Sequence, residues 1–212
     1  VSMYSYFTDV EVSENVAYVA DRDAGELLIL DLSDPAQPSL LSSISVGRGT
    51  WVKLDADENF VYIVSTVSSG YPEGTPDFEI IDVSDPLNPK ELGEHDLPGV
   101  LEGVHVENGI AYLAAGYAGL RIFDVSDPST PLALGSLQGG NEDLDYAREV
   151  FVVGDIAYVC DYEQGLKIID VSDLSNPALM GSWSIPGASS GHAFDVYVDD
   201  NIAYLAAHTC GL

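Results

Sequence analysis

Apolar residues along this chain fall in short runs in which every second position is Val, Ile, Leu or Tyr, as in "DVEV" at Asp9, "GVHV" at Gly103 and "DVYV" at Asp195. Two-residue alternation is the pattern of a strand with one buried face, and no segment holds a helical period for three turns. Longer apolar runs follow: "NVAYVA" at Asn15, "NFVYIV" at Asn59, "GIAYLA" at Gly109, "DIAYVC" at Asp155 and "NIAYLA" at Asn201. Polar and Gly-bearing pairs join the two kinds of run (Glu14-Asn15, Asn108-Gly109, Gly154-Asp155, Asp200-Asn201). Gly, Asn and Asp tolerate positive φ, so these pairs predict tight hairpins.

A third run carries an acidic signature. "LLILDLSDPAQP" begins at Leu27, "FEIIDVSDPLNP" at Phe78, "LRIFDVSDPSTP" at Leu120 and "LKIIDVSDLSNP" at Leu166. The pattern is apolar-x-Ile-x-Asp-x-Ser-Asp followed by Pro-bounded residues. Its first carboxylates are Asp31, Asp82, Asp124 and Asp170; its second are Asp34, Asp85, Asp127 and Asp173. A shorter run, such as "LALGSL" at Leu132, completes each unit. Four strands in a repeat of about 45 residues is the signature of a β-propeller blade. The sequence therefore predicts an all-β fold: a β-propeller of four-stranded antiparallel blades, with about four and a half blades in one domain over residues 1–212. The repeats are read as 6–46, 48–97, 100–138, 146–184 and a partial 192–212. The fifth copy stops at Gly211-Leu212, where its third strand should begin. The expectation is a fragment of a larger propeller, or self-association in which strands of another chain complete the last blade.

A catalytic group is normally needed once, so a motif written four times reads as architecture. An Asp or Ser side chain in such a turn accepts backbone N–H groups while Pro fixes φ. Asp127→Ala is accordingly expected to cost about 1 kcal/mol of stability, as for one lost hydrogen bond.

Leu-x-Ile-x-Asp followed by Val-Ser-Asp-Pro and preceded by Asn-x-Ala-Tyr-Val-Ala resembles the LVIVD repeat of bacterial and archaeal surface proteins. The copies are Leu27–Asp31, Leu120–Asp124 and Leu166–Asp170; Phe78–Asp82 departs by placing Phe first. "AREV" at Ala147 and "AFDV" at Ala193 are similar to the family's start of the first strand. The resemblance implies a propeller in a cell-surface or secreted setting, and it implies no reaction.

Seven basic residues face 35 acidic ones, a formal charge of −28. That balance argues against a nucleic-acid partner, which needs Lys and Arg, and against docking on anionic lipid. No run approaches a membrane span. Two cysteines, Cys160 and Cys210, do not make a disulfide scaffold, and whether they bridge depends on a Cα separation the sequence does not fix.

Candidate chemistry comes from positions that vary between repeats. In a propeller, the loops joining the second and third strands share a face with the blade-to-blade connections, and that channel mouth is the expected binding surface. The Asp-x-Ser-Asp-Pro turns fall on the opposite face. Aligned first strands put Arg48, Trp51, Glu102, Arg148, Glu149, His192 and Asp195 near the mouth. Two arginines there could clamp a carboxylate; equally, Arg148 could neutralise Glu149 or Asp195. An insertion at Ser68–Pro76 lies on the same face. Asp21 and Asp23, in "DRDAGE", are the candidate ligands for weakly bound calcium. "GASSG" at Gly187–Gly191 matches Gly-x-Ser-x-Gly but joins two strands, so it lacks the strand-to-helix elbow of a serine hydrolase.

The leading expectation is a non-catalytic, extracytoplasmic module binding a protein, small-molecule or carbohydrate ligand at the mouth. The alternatives are a metal-assisted, lactonase-like hydrolase at the same mouth and a structural surface-layer or adhesion repeat.

Overall fold

The computed structural model describes residues 6–46, 51–66, 78–95, 97, 100–140, 143–184 and 192–207, and all regular structure among them is β-strand. Blade one is β1 (Phe7–Ser13), β2 (Val16–Asp21), β3 (Glu26–Asp31) and β4 (Ser39–Ser45). Blade two is β5 (Trp51–Ala56), β6 (Phe60–Thr66), β7 (Phe78–Asp82) and β8 (Lys90–His95). Blade three is β9 (Gly103–Glu107), β10 (Ile110–Ala114), β11 (Leu120–Asp124) and β12 (Leu132–Leu137). Blade four is β13 (Ala147–Val153), β14 (Ile156–Asp161), β15 (Gly165–Asp170) and β16 (Ala178–Trp183), and a two-stranded sheet follows, β17 (Ala193–Asp199) and β18 (Ile202–Ala207). Each sheet is an antiparallel meander with its strands in chain order. These are propeller blades, as the repeat predicts.

The chain forms two compact units, Val1–Leu97 with Pro128–Thr130, and Pro98–Asp127 with Pro131–Leu212. In the first, Tyr18, Ala20, Leu27 and Ile29 of blade one pack with Val52, Leu54, Val61 and Ile63 of blade two. In the second, Tyr112, Leu120 and Ile122 of blade three pack with Val150, Val152, Ala157 and Val159 of blade four. The second strands of the four complete blades, β2, β6, β10 and β14, are covered on both faces, which is why they read as continuous apolar runs rather than alternating ones. Burial of that apolar surface is the main stabilising term.

Local geometry follows the turn chemistry. Glu14, Asn108 and Asp200 sit at φ of 54°, 53° and 52°, and Gly154 at 60°, each at the first position of a hairpin turn. The acidic motif closes the β3–β4 type of turn. Asp31 Oδ1 accepts from Ser33 N (2.8 Å) and Ser33 Oγ (2.5 Å), and Asp82 and Asp170 do the same with Ser84 and Ser172. Asp124 accepts from Ser126 N at 2.9 Å. The second carboxylates Asp34, Asp85 and Asp173 accept from Ala36 N, Leu87 N and Ser175 N, and Asp127 holds the corresponding place in the third copy. Just before this turn the register shifts by one residue in all four blades, between Ile29 and Leu30, Ile80 and Ile81, Ile122 and Phe123, and Ile168 and Ile169. A bulge there twists the outer strand.

Carboxylates at two places give stability opposite pH dependences. At the junction of β1 and β5, Asp9 Oδ2 accepts from Leu54 N (3.0 Å) and lies 3.8 Å from Lys53 Nζ. Burial, followed by the Asp55 and Asp9 charges, pushes the neighbouring Glu11 carboxyl up to about 7 from its usual 4.5. Glu11 thus holds its proton more tightly folded than unfolded, and stability should fall as pH rises from 4.5 to about 7. The Ser hydroxyl and backbone N–H bonds hold Asp31, Asp82, Asp124 and Asp170 below the usual 3.8. Their contribution is full above 3.8 and fades as pH drops through their lower folded values. Thermal melts across pH should therefore peak in mildly acidic buffer, and Glu11→Gln should flatten the decline towards neutrality. A melting temperature that climbs steadily from pH 4.5 to 7 would contradict this assignment.

Candidate functional site

Several of the side chains that vary between repeats meet in the second unit, at the end of the blades where β10 turns into β11 and β14 into β15. A bulge arranges them. Ala147 pairs with Asp161 and Glu149 with Cys160, so Arg148 is the extra residue of β13. In β17, Ala193 pairs with Ala207 and Asp195 with Ala206, so Phe194 is the extra residue there. Bulges re-aim side chains. The Arg148 guanidinium carbon lies 4.3 Å from the Phe194 ring centre and 5.5 Å from that of Tyr162. Such distances are those of cation–π contact.

The cluster extends in both directions. The Tyr162 ring meets His192 at 3.9 Å between centroids with 31° between planes, and crosses Phe194 edge-on at 6.0 Å. Tyr146 lies 6.1 Å from Tyr162 and meets the exposed Tyr117 edge-on at 4.7 Å. The Tyr146 hydroxyl donates to Glu102 Oε1 at 2.6 Å. Burial and that acidic partner push the Tyr146 phenol well above its ordinary value, so it remains a donor at neutral pH.

Backbone bonds fix this arrangement. Tyr162 N donates to Tyr146 O, and Ala193 N donates to Tyr162 O, both at 3.0 Å. One turn earlier, Gly116 and Ala147 exchange a pair of bonds of 2.9 and 3.1 Å. The β10–β11 turn is thereby stitched to β13, and the β14–β15 turn to β17. Beneath it, the buried Asp161 carboxylate accepts from Asp145 N (2.9 Å) and Tyr146 N (3.1 Å), with Lys167 Nζ at 3.7 Å. Lys167 Nζ also donates to Gln164 at 2.9 Å. This pair anchors the segment that delivers Tyr146 and Arg148.

Of the residues singled out in the sequence, Glu102, Arg148 and His192 come together through Tyr146 and Tyr162. Glu149 is turned inward: it is buried, its Oε1 accepts from Val150 N at 3.1 Å, and a Cβ added to Gly103 would overlap its carboxylate. Asp195 is exposed on β17. Trp51 begins β5, with its side chain outside the described residues, as are Arg48, Ser68–Pro76, Gly187–Gly191 and Cys210. Cys160 is buried at the junction of blade four with β17, beside Leu166, Ala193 and Val196. Sequence reasoning missed Tyr117 and Tyr162. The only trace of them is a tyrosine inside the turns "GYAG" and "DYEQG", two and three residues before the glycine at the start of the Gly-Leu pair that leads into the third strand.

In the first unit, Asp21 is buried, and its Oδ1 accepts from Ala24 N at 3.0 Å across the β2–β3 turn. Asp23 Oδ1 lies 3.3 Å from Arg22 Nη2, whose guanidinium carbon is 4.9 Å from the Tyr6 ring centre. Among the described residues, no three His, Cys, Asp or Glu side chains are grouped to hold a metal ion. Among the described residues no helix is long and apolar enough to cross a membrane.

Four-stranded blades on a repeated frame define a repeat β-propeller protein. The chain belongs to the LVIVD repeat family, whose profile matches residues 6–46, 73–96, 98–138 and 145–184. No curated protein matches the sequence significantly. Among solved structures, a protein from Lactobacillus plantarum is similar at a TM-score of 0.71 and 15% identity, over 95% of this chain and 67% of that one. A functionally unknown protein from Desulfotomaculum acetoxidans is similar at a TM-score of 0.67 and 14% identity, over 90% and 59%. The computationally designed protein Ika8 is similar at 0.64 and 13% identity; 96% of this chain aligns, spanning 56% of that one. At these identities the likeness concerns the fold.

Proposed function

We propose that the protein is a non-catalytic binding module of a cell-surface or secreted LVIVD-repeat propeller, and that it takes a carbohydrate ligand on the Tyr117–Phe194 cluster. One observation carries this reading: Arg148, one of only seven basic residues, is placed by a bulge against the rings of Phe194 and Tyr162. Aromatic faces offer large contact area at low entropic cost to the C–H face of a sugar ring. Glu102, Tyr146 and the guanidinium supply the few polar groups that orient such a ligand. The family's surface setting and the acidic composition support an extracytoplasmic location.

The test is a glycan array followed by calorimetry on the best-bound sugar. Tyr162→Ala and Arg148→Ala should each weaken binding about tenfold, a loss of ~1.4 kcal/mol, with melting temperatures little changed for the half-buried Arg148. Unaltered affinity in both variants, or no glycan bound by the wild type, would refute the reading.

A further inference from the structure

The aromatic cluster is longer than its centre at Arg148, and its rings follow the order of the blades. Tyr117 lies in the β10–β11 turn, Tyr146 just before β13, Tyr162 in the β14–β15 turn and His192 just before β17. Successive ring centres are 4.7, 6.1 and 3.9 Å apart. The row thus passes from blade three, along blade four, to the two-stranded sheet. Phe194 and Arg148 flank its Tyr162–His192 end.

The propeller frame does not itself require these rings. In the first unit the same backbone bond runs from Arg22 N to Tyr6 O at 3.0 Å, with an arginine in the place of Tyr162. Burial does not require them either: Tyr117 is 68% exposed, and Tyr146, Tyr162 and His192 are only partly buried. The turn that carries Tyr117 is nevertheless shaped around the row. Gly116 sits there at φ 52°, and a Cβ on it would come within 3.1 Å of the Tyr146 ring. The rings are therefore held in place before a ligand arrives, which lowers the entropic cost of binding.

The polar groups are spread along the row. Glu102 stands at Tyr146, accepting from its hydroxyl, and Arg148 stands at Tyr162. One pyranose ring cannot lie on Tyr117 and on His192 together, because two further contacts separate them along the row. A ligand that uses every ring is a chain. Its charge is constrained as well: a formal −28 on the protein repels a polyanion.

We infer, on the carbohydrate reading above, that the row binds a neutral linear glycan, with about three successive sugar units lying along Tyr117, Tyr146, Tyr162 and His192. Tyr162 with Arg148 and Phe194 forms the central contact. Tyr117 forms an outer one, which only the longer chain reaches.

The test is calorimetry on the whole chain with β-1,4-linked glucose, mannose and N-acetylglucosamine, each as monomer, dimer, trimer and hexamer. Galacturonic acid oligomers of the same lengths are the anionic comparison. Affinity should rise at least about tenfold from monomer to trimer and then level off, with the galacturonate series weaker throughout. Tyr117→Ala should remove the advantage of the trimer over the dimer at an unchanged melting temperature. Tyr162→Ala should weaken every length. A monomer bound as tightly as its trimer, or equal weakening of all lengths by Tyr117→Ala, would overturn the chain inference and leave a single-sugar site standing. Tighter binding of the galacturonate series would overturn the neutral ligand. No binding of any series at any length would defeat the carbohydrate reading, and the inference with it.

Discussion

Asp161→Ala is expected to destabilise the second unit by about 3–5 kcal/mol, the cost of removing one partner from a buried ion pair. Asp161 and Lys167 side chains are 0% and 4% exposed, so the ammonium would lose the Asp161 carboxylate in a region water barely reaches. Asp145 N and Tyr146 N would lose their acceptor at the same time. Urea unfolding should show the loss as a lower midpoint at an unchanged slope. Asp161→Ala/Lys167→Met should recover part of it, because an apolar replacement of both partners avoids a lone buried charge. Amide exchange at Asp145 and Tyr146 should quicken in the single variant, since these bonds tie down the segment that carries the aromatic cluster. A loss below about 1 kcal/mol, the value of an exposed pair, would mean that the pair is solvated.

Gly119→Ala is the second large effect, at about 2–4 kcal/mol. Gly119 stands immediately before β11 at φ 84°, and a Cβ there would overlap the carbonyl oxygen of Leu137, with Gly139 N 2.5 Å away. Both neighbours are backbone, so nothing can swing aside. Gly165 occupies the same place in blade four at φ 89°, against the Trp183 carbonyl. Gly154 provides the control: its φ is 60°, but a Cβ would meet nothing within 4 Å. Gly154→Asn should be nearly neutral, because Asn108 holds φ 53° at the matching position. Equal losses at Gly119 and Gly154 would show that backbone torsion alone, not contact, sets the penalty.

The repeated scaffold was legible because each of its features recurs and obeys local chemistry. Alternation gave the strands, the paired Asn, Asp and Gly gave the hairpins, and Asp-x-Ser-Asp gave the closing turn. The glycines of Gly119-Leu120 and Gly165-Leu166 were visible as strand starts, though their steric necessity depends on the fourth strand's carbonyl, which no local pattern announces. The candidate site was legible only as a level on aligned first strands. That alignment put Arg148, His192 and Glu149 alike near the mouth, and the structure separates them. The bulge explains the difference: Arg148 is the extra residue and faces the rings, while Glu149 resumes the ladder and is buried against Gly103. Tyr117 and Tyr162 come from a different strand pair, and their meeting with Tyr146 and His192 is set by blade-to-blade packing. Lys167 left one trace, a lone cation in an otherwise apolar strand. Its partner lies six residues away across a turn, a relation that composition does not encode.

On the proposed reading the turn motif shapes the chain, and the aromatic cluster of the second unit meets a carbohydrate. The most direct test is to titrate the best-bound sugar into isotopically labelled protein and map the shifts residue by residue. The largest shifts are expected on Tyr117, Tyr146, Arg148, Tyr162, His192 and Phe194, with Ser126 and Ser172 unmoved. Shifts concentrated at the Ser126 and Ser172 turns, with the cluster silent, would contradict it.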